Sequence, residues 1–508
     1  MRHAAYLLLG AGAFVFASLR WLRVAQREHY LPGSVWTFAK RWWGLSTFNR
    51  LLGALALAAA LGALAKPWTS VLTSLVVAVG PIGLGLRGRT GALSWTKRLK
   101  LLAGAQALLG VVVGVLLVEL LGFAFAAAAT ALAAPVLLEL ALRLTAPVQR
   151  REMNGFVASA VKRLAEVDPR VVAITGSYGK TSTKGHLAHL LAGSRAVVAS
   201  PASFNNRAGL ARTINEHLEP GTEVLVAEMG TYGIGEIAEM CAWCPPDVAV
   251  ITAIGPVHLE RMGSMNTILD AKMEVAEEAR VVVLNVMDPR LGQVVDRLRR
   301  LGKEVVTVAT APTYGAQVAL DASVVPPVLH VRGASVPLPG PLPEGVRASN
   351  LACAFGAVLG LGLDPMELVD RVATMPAVAN RANVGVSASG VVVVDDTFNA
   401  NPEGARAAIE VLGSLGKGGR RVVVTPGMVE LGREQAPENK DLAAAASKVA
   451  DTIVVVGRTN AAALVEGAGR RTTVIKMPNR DAAVAWVRAN LSEGDAVLYE
   501  NDLPDHYA

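Results

Sequence analysis

Cysteine is scarce in this chain, and its scarcity excludes one class of protein. Only three cysteines, Cys241, Cys244 and Cys353, occur in 508 residues. Small secreted proteins held by a disulfide framework are rich in paired cysteines, so this chain is not of that kind. The one CxxC pair has no second pair and no nearby histidine, which makes it a weak indication of a zinc site. We therefore expect a reduced, cytoplasmic catalytic part.

Charged residues are also few, at 18% of the chain, and they are distributed unevenly. Up to about Thr145 long runs of Ala, Leu, Val and Gly dominate, whereas from about Arg150 short apolar stretches alternate with charged connections. The net charge of +7 is compatible with nucleic-acid binding, but many N-terminal basic residues stand beside apolar runs, where they would face lipid headgroups. We expect membrane lipids, and no nucleic acid, as partners.

The apolar runs have the length of membrane spans, which need about 20 mostly apolar residues in a helix. We assign residues 1–149 to a transmembrane region of about five helices, the second of them short: 4–19, 51–65, 68–86, 101–118 and 120–144. The connections after the first and third runs are rich in Lys and Arg and should be cytoplasmic. This predicts a multi-pass protein of the inner (plasma) membrane, with its N-terminus outside and its catalytic domains in the cytoplasm. A plain anchor and a platform for a lipid substrate both remain open.

The segment 171–184, VVAITGSYGKTSTK, indicates a buried strand, a glycine turn and the start of a helix. This is the arrangement of a phosphate loop, although the first glycine of the standard pattern is replaced by isoleucine. Gly176 and Gly179 would let backbone N–H groups turn towards phosphates. Lys180 would offer a cation to the β- and γ-phosphates, and Thr181 a hydroxyl to Mg²⁺. The predicted ligands are ATP and Mg²⁺.

A carboxylate ends the apolar stretch VLVAE at 224–228. Parallel α/β sheets present ligands at the carboxyl ends of their strands, so Glu228 could hold Mg²⁺ near the phosphates. The alternative is a solvated carboxylate at a strand end.

These segments resemble the Mur ligases, the ATP-dependent amino-acid-adding enzymes of peptidoglycan synthesis. The resemblance covers roughly residues 150 to 508, and it begins with TGSYGKTS, similar to the shortened phosphate loop of that family. Further segments follow in the family's order: SFNNRAG (203–209), EMGT with GEIA (228–238), ITAIGPVHLERMGS (251–264) and AKME (271–274).

The resemblance implies a set of site residues. The implied nucleotide-binding residues of the loop are Gly176, Ser177, Gly179, Lys180, Thr181 and Ser182. The implied catalytic residues are Lys180, Glu228, His258 and Lys272, and the implied metal ligands are Thr181, Glu228, His258 and Lys272. By this resemblance two Mg²⁺ ions bind, His258 is a ligand of the second, and Lys272 is carbamylated by CO₂. A carbamate is negative, so it can lie beside Mg²⁺ where an ammonium would be repelled. From the residues alone, Lys272 would be a surface lysine.

The C-terminal part resembles the D-alanyl-D-alanine-adding branch of the family, MurF. VVVVDDTFNANP (391–402) is close to its V-D-D-S-Y-N-A-N-P, and GMVELG (427–432) to its G-D-M-x-E-L-G. The resemblance implies nucleotide contacts at Asn350, Arg381, Asp396 and Asn399. Strands alternating with helices predict a Rossmann-like domain. We expect an α/β fold after the transmembrane region: a central ATP-binding phosphate-loop domain over 150–377 and a C-terminal Rossmann-like domain over 378–508.

Three departures from MurF bear on the substrate. The family's N-terminal domain, which binds the UDP-linked sugar peptide, is absent, and the membrane region stands in its place. The usual G-D-M is PGM at 426–428, and a common downstream histidine is Asn439. The usual V-L-V-K-G-S is VLYEND at 497–502, so Glu500 replaces a lysine. The acceptor is then either attached to a polyprenyl or other lipid, or an ordinary cytoplasmic substrate.

Three functions compete. The first is an ATP-dependent ligase that joins a carboxylate to an amino acid or peptide amine through an acyl phosphate, in cell-envelope or peptidoglycan-related synthesis. The second is an ATP-driven transport or sensing protein, which the scarcity of charge within the spans disfavours. The third is a non-catalytic scaffold, disfavoured because Lys180, Glu228, His258 and Lys272 are all present.

Overall fold

The computed structural model describes residues 2–44, 46–86, 93–376, 383–397, 401–415, 418–470, 472–503 and 507. The chain divides into two compact units. Unit 1 comprises Met1–Met153 with Leu503–Ala508, and unit 2 comprises Asn154–Asp502.

Unit 1 is helical. Its helices, α1 to α7, are Arg2–Arg27, Ser34–Gly44, Thr47–Gly62, Thr69–Val79, Lys97–Leu121, Phe123–Leu132 and Ala134–Val167, the last of which runs past the boundary between the units. Much of the outer surface of α5 is apolar, with Leu108 66% and Leu120 75% exposed. Such a surface is unusual for a helix that faces water.

The structure gives fewer candidate spans than the five expected from the sequence. In the described residues two helices, α1 from His3 and α5, are long and apolar enough to cross a membrane, and up to four spans result if each of two bent helix pairs counts as one. The expected span 68–86 is shorter, because α4 stops at Val79, before Gly80 and Pro81. The expected span 120–144 is broken at Gly122 and bent by 65° between α6 and α7.

Unit 1 contains buried charged side chains, although the sequence had suggested almost no charge within the spans. Glu139 of α7 accepts hydrogen bonds from the backbone N–H groups of Gly33 (2.7 Å) and Trp36 (3.0 Å), at the start of α2. Arg20 of α1 donates to the carbonyls of Val77 (3.2 Å) and Gly80 (2.6 Å), at the end of α4. Both side chains therefore satisfy helix ends, which is a structural role.

The first part of unit 2 is a nine-stranded sheet. Strands β1 to β9 are Arg170–Thr175, Val197–Ala199, Val224–Glu228, Val248–Ile251, Val281–Asn285, Glu304–Ala309, Val318–Asp321, Val328–Val331 and Ala334–Pro337. Their order is β2-β3-β1-β4-β5-β6-β7-β8-β9, parallel up to β7 and antiparallel beyond. The chain moves to one side of β1 and then to the other. The strand order thus reverses next to β1, the position where open α/β sheets bind ligands.

Helices cover the sheet because its strands are apolar runs buried on both faces. Helices α8 to α15 are Lys180–Leu191, Arg207–His217, Glu236–Cys241, Leu259–Met262, Met265–Met273, Val275–Glu278, Pro289–Arg300 and Ala348–Gly360. Helix α15 lies close on the strands: a Cβ at Gly356 would stand 2.5 Å from a methyl of Val308. Short 3₁₀ turns occur at Pro312–Tyr314, Pro365–Thr374 and, further on, Gly432–Glu434.

The second part of unit 2 is a six-stranded sheet. Strands β10 to β15 are Asn383–Val386, Val392–Asp396, Arg421–Thr425, Thr452–Val456, Thr473–Met477 and Ala496–Glu500, and helices α16 to α19 are Pro402–Ser414, Gln435–Ala446, Ala461–Ala468 and Arg480–Asn490. The order is β10-β11-β15-β12-β13-β14, parallel except for β10. The carboxyl ends of β11, β15 and β12 meet at one edge. We refer to the two sheets with their helices as the middle and C-terminal domains.

Candidate active site

The loop between β1 and α8 has a backbone that requires glycine at two positions. Gly176 and Gly179 have φ values of +145° and +78°. A Cβ at Gly176 would lie 2.0 Å from Thr252 Oγ1, and one at Gly179 would lie 2.2 Å from Asn350 Oδ1. Asn350, predicted from the family pattern, thus packs directly on the loop. The strand–turn–helix predicted from the sequence is present, with its N–H groups at the start of α8.

The polar side chains of the loop have different partners. Ser177 Oγ donates to the carbonyl of Gly255 (3.0 Å) and accepts from its N–H (2.9 Å), which ties the loop to the segment after β4. Lys180 Nζ donates to the carbonyls of Gly176 (2.7 Å) and Ser177 (3.4 Å), so its ammonium lies over the loop. Ser182 is buried in the first turn of α8.

Glu228, at the end of β3, is the centre of the site. Its carboxylate is 1% exposed and receives three donors. Thr181 Oγ1 and Lys184 Nζ each lie 3.0 Å from Oε2, and Asn205 Nδ2 lies 3.0 Å from Oε1. The structure therefore brings together Thr181 and Glu228, two of the metal ligands that the resemblance implies. It adds Lys184 and Asn205, which the sequence reasoning did not select.

His258 lies beside the C-terminal domain. It precedes α11 with a left-handed φ of +60°, and its Nδ1 contacts Glu430 Oε2. The ring of Tyr232 meets the imidazole edge-on at a centroid distance of 4.7 Å. Glu430 belongs to the GMVELG segment, 172 residues further along the chain, and no sequence pattern indicated a role for it.

Lys272 is a buried lysine, not the surface residue expected when the family resemblance is left aside. It lies on α12 and is 4% exposed. Burial, assisted by the charge of Lys180, lowers the pKa of Lys272 to about 7. Glu236 and Glu274 act in the opposite direction. At neutral pH a large share of the amine is therefore uncharged, and the uncharged amine is the form that reacts with CO₂.

Glu274, two residues beyond Lys272, explains why a glutamate occurs in the AKME segment. Its carboxylate accepts hydrogen bonds from the backbone N–H groups of Gly235 (2.6 Å), Ile237 (3.1 Å) and Ala238 (3.0 Å). These are the unpaired donors at the start of α10. The GEIA and AKME segments are thus one structural feature, which the pattern of the sequence alone did not reveal.

The carboxyl edge of the C-terminal sheet is acidic. Asp396 ends β11, and Glu500, directly opposite on β15, is fully buried. Thr425 donates a hydrogen bond to Glu500 Oε2. Burial raises the pKa of Glu500 to about 8, and the nearby Asp396 adds to the shift. Two other predicted nucleotide contacts, Arg381 and Asn399, lie outside the described residues.

The loop 426–428, which replaces the family's G-D-M, is held by amides. Asn439, where a histidine is common, is fully buried; it accepts from the N–H of Met428 (2.8 Å) and donates to its carbonyl (2.9 Å). Asn460 donates to the carbonyls of Pro426 and Met428, and Asn501 to that of Gly427. Asn439 therefore has a structural role, although it is not the histidine that is common in the family.

The oxygen atoms of Thr181 and Glu228 are suitable ligands for Mg²⁺. This ion takes one or two carboxylate or hydroxyl oxygens from the protein and completes its shell with water and substrate phosphates. Thr181 Oγ1 and the Glu228 carboxylate are such a pair beside a phosphate loop. No group of three or more His, Cys, Asp and Glu side chains converges among the residues that the structure describes, so an all-protein metal cage is not found there.

A glycine loop after the first strand of a parallel sheet, a lysine over that loop and a buried carboxylate on the neighbouring strand define a class: phosphate-loop enzymes that act on nucleotides. Comparisons with known proteins narrow this class. The profile described as the Mur ligase middle domain matches residues 174–358, and that described as the Mur ligase glutamate ligase domain matches residues 380–499.

Individual relatives indicate the same family. The UDP-N-acetylmuramoyl-tripeptide–D-alanyl-D-alanine ligase of Mycobacterium tuberculosis is 30% identical over 354 residues, covering 65% of this chain and 69% of the relative. The enzyme of the same name from Bacillus subtilis is 28% identical, over 66% of this chain and 74% of the relative. The structure of MurF ligase from Thermotoga maritima in complex with ADP superimposes with a TM-score of 0.58 and 27% identity, over 69% of this chain and 80% of that one.

The chain belongs to the Mur ligase family, and its relatives are of the MurF branch. It is an ATP-dependent carboxylate–amine ligase with the family's α/β middle and C-terminal domains. The helical N-terminal region is extra to these domains. The resemblance found in the sequence is thereby confirmed.

Proposed function

We propose that this protein is a membrane-anchored MurF-like ligase that joins a carboxylate to an amino acid or peptide amine in the synthesis of a peptidoglycan-type precursor. The observation that carries the proposal is the junction of the phosphate loop and Glu228, where Thr181 Oγ1 lies 3.0 Å from a buried carboxylate oxygen. That junction is where a nucleotide's terminal phosphates and their metal ion would meet the end of the parallel sheet.

The loop binds and orients ATP. The N–H groups at the start of α8 receive the phosphates, and the Lys180 ammonium moves from its own loop carbonyls to the γ-phosphate. Asn350, packed on Gly179, keeps the loop in place. We assign Arg381, Asp396 and Asn399 to the nucleotide from the side of the C-terminal domain.

Two Mg²⁺ sites complete the proposal. Thr181 and Glu228 would hold one ion, and His258 with a carbamylated Lys272 would hold the other. Bound Mg²⁺ offsets the charge that accumulates between the carboxylate and the phosphates. The lowered pKa of Lys272 supports the carbamate, because the uncharged amine can add to CO₂ and release a proton.

The chemistry then needs positioning more than a protein nucleophile. A substrate carboxylate oxygen attacks the γ-phosphorus, the bond to ADP breaks, and an acyl phosphate forms. The amine attacks the acyl carbon, inorganic phosphate leaves, and the amine loses a proton. Lys180 and the loop N–H groups stabilise the charge on the transferred phosphoryl group, which is the main contribution a protein can make to such a transfer.

The acceptor is proposed to be lipid-linked. The relatives are named for a UDP-N-acetylmuramoyl-tripeptide and D-alanyl-D-alanine. In this chain the region before the ligase domains is helical. Two of its described helices have the length and composition of a membrane span, and up to four spans result if each of two bent helix pairs counts as one. An enzyme with these helices in the inner membrane, and with its ligase domains in the cytoplasm, would meet acceptors carried on membrane lipids.

The experiment is phosphate release by the detergent-purified full chain with ATP, Mg²⁺ and bicarbonate, over a panel of amines paired with UDP-linked or polyprenyl-linked carboxylates. Release that needs an amine and a lipid-linked acceptor together is the expected result. Release with UDP-linked acceptors alone would remove the lipid-linked substrate and keep the ligase. Release that is indifferent to every acceptor would favour an ATP-driven transport or sensing function, and Lys272→Ala should abolish release if the ligase site is used.

A further inference from the structure

Glu430 meets His258 from a different domain. His258 stands before α11 of the middle domain, whereas Glu430 follows β12 in the C-terminal domain. Glu430 Oε2 contacts His258 Nδ1, and the side chains are 20% and 27% exposed, respectively. With the carboxylate ionised, Nδ1 carries the proton and donates it in the hydrogen bond.

The backbones around this pair are held together as well. The N–H of Glu260 donates to the carbonyl of Glu430 at 3.1 Å. A Cβ at Gly432 would lie 3.2 Å from Glu260 N, so the two segments lie in close contact. Both His258 and Glu430 have a left-handed φ, of +60° and +65°. Non-glycine residues with such backbones cost free energy, and they persist where the surrounding structure fixes them, often at functional sites.

We propose that Glu430 is a positioning residue for His258: it holds the proton on Nδ1 and so leaves the lone pair of Nε2 for the metal ion that His258 would hold. A neutral imidazole has one N–H and one lone pair, and a carboxylate on the N–H fixes both the tautomer and the ring orientation. This inference rests on the proposed function, in which His258 is a Mg²⁺ ligand. Its consequence is that the second metal site is complete only while the two ligase domains are in contact.

A simpler explanation of the contact is a docking ion pair. Arg261 Nη2 lies 3.3 Å from Glu430 Oε1, so Glu430 could serve only to join the domains through Arg261. The two explanations differ in the role of His258. If Glu430 acts through the imidazole, its removal matters only when His258 is present. If it acts by docking, removal of Arg261 has the same effect as removal of Glu430.

The test measures metal binding, not turnover. Mn²⁺ is titrated into the full chain in detergent with ADP and bicarbonate, and free Mn²⁺ is followed by electron paramagnetic resonance. We expect wild type to bind two ions and Glu430→Ala to weaken one of them by about 10- to 100-fold, the usual effect of losing a carboxylate behind a histidine ligand. Glu430→Gln, whose amide oxygen can still accept from Nδ1, should lose less. Glu434→Ala, an exposed glutamate four residues along the same segment, is the matched control.

The double variants decide between the explanations. In a His258→Ala background, Glu430→Ala should cause no further loss of Mn²⁺ affinity, and Arg261→Ala alone should bind both ions as wild type does. Equal losses in Arg261→Ala and Glu430→Ala, or unchanged binding in Glu430→Ala, would overturn the inference while leaving the ligase intact. A wild-type chain that binds no Mn²⁺ in the presence of ADP would overturn the proposed function and this inference with it. Circular dichroism of each variant shows whether a loss is one of folding.

Discussion

Lys184 contacts the central carboxylate of the site, although no sequence motif indicated a role for it. It lies one helical turn after Lys180, and its ammonium forms a buried ion pair with Glu228 at 3.0 Å, the two side chains being 6% and 1% exposed. The sequence places both lysines on one side of α8. It does not show that Lys184 points inward, because that depends on where β3 ends relative to the helix.

Removal of Lys184 should therefore be costly. Lys184→Met leaves the buried Glu228 carboxylate without its counter-charge, and breaking one partner of such a pair typically costs about 3–5 kcal/mol of unfolding free energy. The double variant Lys184→Met/Glu228→Gln should recover much of that loss, because no buried charge remains. Thermal and urea unfolding of the detergent-purified chain measures both variants. A loss below about 0.5 kcal/mol in Lys184→Met would show that the pair does not contribute to stability.

Glu500 gives a prediction about pH. Burial raises the pKa of this carboxyl from its ordinary value of 4.5 to about 8. Between these values the folded chain holds a proton that the unfolded chain has released, so stability is highest below the lower value and falls as the pH rises through the upper one. The expected fall is on the order of 5 kcal/mol across this range.

The comparison that isolates this effect is Glu500→Gln, which removes the titrating group and keeps its shape. The unfolding midpoints of wild type and Glu500→Gln are compared at about pH 5 and about pH 9. Relative to wild type, Glu500→Gln should be more stable at the higher pH than at the lower one. Glu493→Gln, on the surface of the same domain, should follow wild type at every pH. A wild-type profile parallel to that of Glu500→Gln would show that Glu500 does not titrate in this range.

At the scale of elements, the sequence predicts strands better than contacts between them. The buried strand, loop and helix at 171–184 are present because apolar runs and glycines act locally. Helix α4 is shorter than its apolar run because Gly80 and Pro81 follow it, a local signal that composition outweighed in the prediction. The Glu430–His258 contact joins residues 172 positions apart in different domains, and no periodicity reports such a pair.

The stability of helix α10 depends on one carboxylate, that of Glu274. It has six residues, too few for a stable isolated helix, and Glu274 accepts three of its first N–H groups. Glu274→Ala should cost about 2–4 kcal/mol, since it leaves buried donors unpaired. Hydrogen exchange of the amides of residues 235–238 should accelerate as the helix opens.

Glu274→Gln, which keeps one acceptor oxygen, should give an intermediate exchange rate. Glu277→Ala, a neighbour on α13, is the control, because α10 receives no cap from it in the described contacts. Unchanged protection at 235–238 in Glu274→Ala would mean that packing alone holds α10.

At the scale of the whole molecule, the proposed membrane topology depends on how the helices of unit 1 are connected. Helices α3 and α4 form a hairpin: Thr69 Oγ1 donates to the carbonyl of Ala59, and Thr73 Oγ1 to that of Ala56. At 1.5 Å per residue they are about 24 Å and 16 Å long, less than the roughly 30 Å of a bilayer core. In the proposed topology the hairpin returns the chain to the side from which it came, whether it crosses the membrane or only enters it.

The proposed topology therefore does not depend on counting that hairpin. In the proposed topology, helix α1, helix α5 and the α6–α7 pair each cross the membrane once, which places an odd number of crossings between the two ends of the chain. The basic connections before α3 and before α5 then both face the cytoplasm, in keeping with the charge rule for membrane proteins. In intact cells an epitope at the N-terminus should be accessible, and one at the C-terminus only after permeabilisation. Two epitopes that both need permeabilisation would show an even number of crossings, which would require α1 or the bent α6–α7 pair to lie on one side of the membrane.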